Sequence, residues 1–132
     1  VRIDEMAQIE DEISVMFQRV NDSIDAAGAR RLGPGVAVYM TTGDGMIAAA
    51  AEQIGDAPVP DGLERAVVSA EPRALTLRYE ADDLAGIQSA WQALVAGAER
   101  RGLRSDGACR ELYLQTPYDG DRWVIDLQQP VS

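Results

Sequence analysis

The residues best placed to do chemistry lie in Cys109–Gln115, which reads Cys-Arg-Glu-Leu-Tyr-Leu-Gln. Its leucines alternate with polar and aromatic positions, the pattern of a strand with two unlike faces. With Leu112 and Leu114 turned toward covering helices, Glu111 and Tyr113 share the opposite face. A carboxylate among aromatic rings is costly to bury unless a cation meets it. The rings themselves attract cations by about 0.5 to 2 kcal/mol each. This pairing suits an organic cation with an apolar body; on patterning alone, an ordinary solvent-facing Glu fits the same alternation. In Val36–Thr41, Val38 and Met40 take the helix side by the same rule, and Ala37 and Tyr39 face away. Asp126 offers a second carboxylate, and Tyr79, near a helix start, can reach a cleft mouth or lie on the surface. Trp91 falls on a helical stripe and reads as core, and Trp123 as core or rim.

What the chain lacks excludes much. All 12 basic residues are Arg, and there is no His and no Lys. Histidine triads, histidine metal sites, Schiff-base chemistry and a P-loop lysine are therefore ruled out. Cys109 is the one cysteine, so no internal disulfide forms, and it reads as a small core residue. Neither a catalytic set, a metal site nor a cofactor is expected. The net charge of −10 repels phosphate backbones, so direct nucleic-acid binding is not expected. No apolar run is long enough to span a membrane and no signal peptide opens the chain, which predicts a cytoplasmic protein. Val1 in place of an initiator Met predicts a fragment of a longer chain.

The elements that must position these residues come from an internal repeat. At an offset of 74 residues, Ile13 matches Ile87, Gly28 matches Gly102, Arg30 matches Arg104, Gly33 matches Gly107, Tyr39 matches Tyr113 and Thr42 matches Thr116. Phe17 with Trp91, Val20 with Leu94, Val38 with Leu112 and Met40 with Leu114 fill the gaps. Two copies of one supersecondary unit follow, about residues 1–54 and 63–131 of a single domain. Each reads strand, helix, strand, strand. In the second copy these are Arg73–Tyr79, a helix opening at Asp82 and Asp83 and closing at Gly102, then Cys109–Gln115 and Arg122–Gln128. In the first they are Val1–Glu5, a helix ending at Gly28, then Val36–Thr41 and Met46–Gln53. Turns are expected at Thr42–Gly45, Glu71–Pro72 and Pro117–Gly120, and a further strand over Leu63–Ser69. The expected fold is α+β, an antiparallel sheet with two helices on one face and a ligand cleft between the pseudo-symmetric halves. The Ala-rich strand after Gly45 leaves room beside something.

Residues 87–131, with a Trp and Leu in a helix, a Gly-rich loop, an Arg-Glu-x-Tyr strand and a closing Pro-Val, resemble the C-terminal half of GyrI-like (gyrase-inhibitor-like) domains. Gly-Pro-Gly-Val-Ala-Val-Tyr, ending at Tyr39, resembles that family's Gly-Pro segment in the first half. The Arg-Tyr-Glu-Ala-Asp-Asp-Leu stretch around Tyr79 departs from the family, which carries Gly-Pro-Tyr there. The resemblance implies a ligand-binding domain with Glu111 as its central acidic residue. It also implies a sensing role for multidrug-type ligands in MerR-type transcription regulators, with any DNA-binding part outside this chain and a homodimer compatible with that role. Two other classes remain open: hydrolysis of strained-ring toxins with Glu111 activating water, and an acidic inhibitor that binds a protein partner.

Overall fold

The computed structural model describes residues 2–3, 9–42, 45–66, 71, 73–117 and 120–132. The fold is α+β, with antiparallel strands and two helices. The chain divides into two compact units, Val1–Ala70 and Glu71–Ser132.

The first unit holds β1 (Arg2–Ile3), α1 (Ile9–Ala27), β2 (Gly35–Thr42) and β3 (Gly45–Ala51). Strand β3 pairs antiparallel with β1 on one side and β2 on the other, with Tyr39 opposite Ala48 and Ala37 opposite Ala50. Helix α1 lies against β3. It buries Ile13 and Ile24 and half-buries Phe17 and Val20, one stripe at helical spacing. The small side chains of Ala48 and Ala50 occupy the strand on which the helix rests, so the room that the Ala-rich run leaves is taken by α1.

The second unit holds β4 (Ala74–Ala81), α2 (Ile87–Arg100), β5 (Cys109–Gln115) and β6 (Trp123–Pro130). Here β6 is central, pairing antiparallel with β4 and with β5. Helix α2 lies against β4 and β6. Leu94, Ile125 and Leu127 form the core, with Leu75, Leu77, Tyr79, Leu84, Ile87, Trp91, Tyr113 and Trp123 packed around them. Each unit thus follows the order strand, helix, strand, strand, with its last strand paired to both of the others.

Both helices stop in the same way. After α1, Gly28 takes φ +68° and the Ala29 N–H reaches back to the Ile24 carbonyl at 3.1 Å. After α2, Gly102 takes φ +70°, its N–H bonds the Glu99 carbonyl, and the Leu103 N–H bonds the Ala98 carbonyl at 3.0 Å. These are Schellman closures, and the left-handed residue at their centre is cheap only for glycine.

Three expectations are corrected. Helix α2 does not open at Asp82 and Asp83; it begins at Ile87 with Gly86 as an N-cap that has no side chain to offer. Asp83 serves the preceding turn instead, its carboxylate accepting the Ala85 N–H at 3.0 Å. Residues 63–66 are not a strand, and residues 67–69 of that expected strand lie outside the described residues. The third correction concerns the faces of β2 and β5. Odd-numbered β5 residues stand beside the buried partners Leu127 and Ile125 on the side that α2 covers, so Glu111 and Tyr113 point toward the helix. Leu114 is exposed on the other face. In β2, Ala37 and Tyr39 are buried and Met40 is exposed. Parts of the expected strand Val1–Glu5 and of the turns Thr42–Gly45, Glu71–Pro72 and Pro117–Gly120 also lie outside the described residues.

Candidate functional site

The face correction puts Glu111 under a helix, where its burial must be offset. Only 4% of the residue is exposed. The Trp91 indole N–H, coming down from α2, donates to Glu111 Oε2 at 2.6 Å. The Tyr113 hydroxyl, two residues along the same face of β5, donates to Oε1 at 2.8 Å. Each carboxyl oxygen therefore meets an aromatic donor, and hydrogen bonds to a charged acceptor are among the strongest that proteins make. Trp123 extends the aromatic surface, its ring meeting that of Tyr113 edge-on at 6.1 Å and 68°. Cys109 lies on the same face as Glu111; burial, and then the negative charge of Glu111, push its thiol up to about 11. That is a protonated, weakly nucleophilic sulfur, as expected of a core cysteine.

Sequence reasoning assigned Trp91 to the core and missed its second task. The signal was available: a buried indole needs an acceptor for its N–H, and a buried carboxyl needs donors. The two orphans lie 20 residues apart in sequence and meet when α2 folds onto its sheet.

The other singled-out residues are distributed differently. Tyr79 belongs to the helix-facing side of β4, but its hydroxyl is engaged locally, donating to the Asp83 carbonyl at 2.8 Å and accepting the Gly86 N–H at 3.3 Å. It thereby serves the unsatisfied N-terminus of α2 in place of a capping side chain. Asp126 stands opposite Leu112 and Arg78, on the face away from α2, and is ion-paired with Arg78 at 2.5 Å. It is therefore not a second carboxylate beside Glu111. Ala37 and Tyr39 occupy the buried face of β2 in the first unit. Gly35 shares that face, and a Cβ there would lie 2.9 Å from the Phe17 ring.

Two further features of the first unit contain none of these residues. The Glu52 carboxylate accepts from Asn21 Nδ2 at 3.1 Å, and Asn21 in turn accepts from Arg31, which pairs with Asp25. Burial raises the Glu52 pKa, opposed by the Asn21 bond and the Arg31 charge. A depression of about 490 Å³ is lined by residues 27–30 and 57–61. Among the described residues no group of three or more acidic or thiol side chains is arranged to hold a metal ion, and no helix is long and apolar enough to cross a membrane.

No protein-family model matches the chain, and no curated protein matches it.

Proposed function

We propose that the chain binds a small organic ligand, cationic or amphipathic, through Glu111, and that it serves as the sensing domain of a transcription regulator. What supports this reading is the aromatic surround of the Glu111 carboxyl, made by Trp91, Tyr113 and Trp123. Because that carboxyl is buried and already holds both donors, a cation engages it by displacing the Trp91 or the Tyr113 bond. A carboxylate and electron-rich ring faces together form the chemistry that recognises a lipophilic cation. The resemblance of residues 87–131 to GyrI-like domains points the same way, since it singles out the same Glu.

The test is calorimetry with tetraphenylphosphonium as the cationic probe and triphenylphosphine oxide as the neutral one. Glu111→Gln keeps the side-chain volume and removes the charge. It is expected to weaken the cation by roughly 1 to 3 kcal/mol, the range for losing one partner of a charge interaction, and the neutral probe far less. Equal losses for both probes would remove charge recognition from the reading. Undiminished binding of both would place the site elsewhere. A covalently changed ligand in mass spectrometry would replace sensing by hydrolysis.

A further inference from the structure

Strand β4 borders its sheet. It pairs with β6 over the full length Ala74–Ala81, and among the described residues no strand pairs with its other edge. Its eight residues, unpaired on that edge among the described residues, are a template for another strand. Burial alternates along it: Leu75, Leu77 and Tyr79 are half-buried on the helix side, while Thr76, Arg78 and Glu80 are exposed on the outer side. Arg78 and Glu80 stand two apart on that outer face, with opposite charge.

This spacing is self-complementary. In a symmetric antiparallel pair of β4 strands, residues directly opposite one another point to the same face. Keeping the apolar side continuous requires odd residues to oppose odd ones. Centring the pair on Leu77 sets Arg78 against Thr76, and centring it on Arg78 sets two arginines against each other. Centring it on Glu80 opposes two carboxylates. Centring it on Tyr79 sets Arg78 of each strand against Glu80 of the other, twice, and lays Leu77 against Ala81. We propose that β4 is a self-association edge through which two copies of this chain pair antiparallel over Leu77–Ala81 in that register. The partner is thus a second copy of the chain. Arg78 bridges its own Asp126 and the incoming Glu80, a task its forked guanidinium can perform.

Sedimentation equilibrium of the whole chain, at about physiological ionic strength where surface charges interact within a Debye length, tests this. A concentration-dependent dimer is expected. Glu80→Arg and Arg78→Glu, each checked for folding by circular dichroism, are expected to weaken it at least tenfold, because each sets like charges opposite one another. An equimolar mixture of the two variants is expected to recover the dimer, since every opposed pair is then of unlike charge. A wild-type chain that stays monomeric overturns the proposal, as does a dimer indifferent to Glu80→Arg or a mixture of folded variants that stays monomeric. Should Arg78→Glu fail to fold for want of its Asp126 partner, Glu80→Arg decides alone, since Glu80 is in none of the described ion pairs.

Discussion

At the scale of single residues, the Glu111 carboxyl and its two donors form one unit. Trp91→Phe retains most of the ring but removes the N–H at Oε2, leaving a buried polar atom short of a bond. A loss of about 1 to 3 kcal/mol in urea unfolding is expected, the usual cost of such an orphan. Cys109 supplies a chemical check on the same face. Its thiol is raised from 9.0 to about 11, so at mildly alkaline pH its thiolate is scarcer than that of an ordinary cysteine by roughly a hundredfold. Alkylation by iodoacetamide is expected to be correspondingly slow in the folded chain and to reach the ordinary rate in denaturant. Glu52 sets a pH dependence of opposite sense to that of a salt-bridged acid. Because burial raises its folded pKa, the folded state holds the proton more tightly than the unfolded state. Its contribution favours folding below the unfolded pKa and is lost as pH rises through the folded value. Glu52→Gln keeps an acceptor for Asn21 and removes the charge. It is expected to raise the melting temperature at neutral pH, with the gain fading on acidification.

At the scale of elements, the two helix ends make a matched pair. Gly28 and Gly102 both have positive φ, and a Cβ at either would meet nothing within 4 Å. The cost of Gly28→Ala or Gly102→Ala is therefore purely conformational, about 1 kcal/mol each, and the two values should agree closely in thermal or urea unfolding. These ends were legible in the sequence, because a Gly after an apolar helical stripe has few other uses. The start of α2 was not. Asp82 and Asp83 look like helix-opening residues, but the Asp83 carboxylate closes a turn and Tyr79 supplies the hydroxyl that meets Gly86. Short acidic side chains stabilise both arrangements, and only the packing of Tyr79 beneath the turn selects one.

At the scale of the whole molecule, charge governs what the chain approaches. With a net charge of −10, duplex DNA is expected to show no association tighter than the weak end of non-specific binding, about 10⁻⁴ M at physiological salt. A fluorescence-anisotropy titration measures this directly, and micromolar binding would contradict it. The same charge favours cationic ligands over anionic ones by steering alone, so tight anion binding is not expected either.

The sequence by itself determined the α+β class, the strand, helix, strand, strand order within each unit, the strand positions to within two residues over β2–β6, and the glycine closures of both helices. These follow from local rules of period and backbone conformation, which act over a few residues. It also placed Glu111 and Tyr113 on a common face, because alternation along a strand is local. Which face turns inward was decided only by the tertiary structure. In β5 both faces carry large side chains, and hydrophobicity assigned the inner one to Leu112 and Leu114. The inner face went instead to Cys109, Glu111 and Tyr113, because α2 brings the Trp91 N–H to that side and the carboxyl accepts it. In β2 the buried Ala37 and Tyr39 lie inward together with Gly35, where a Cβ would come within 2.9 Å of the Phe17 ring of α1. A strand's alternation says that two faces differ; the bulk and the donors of the helix above it determine which of them is buried.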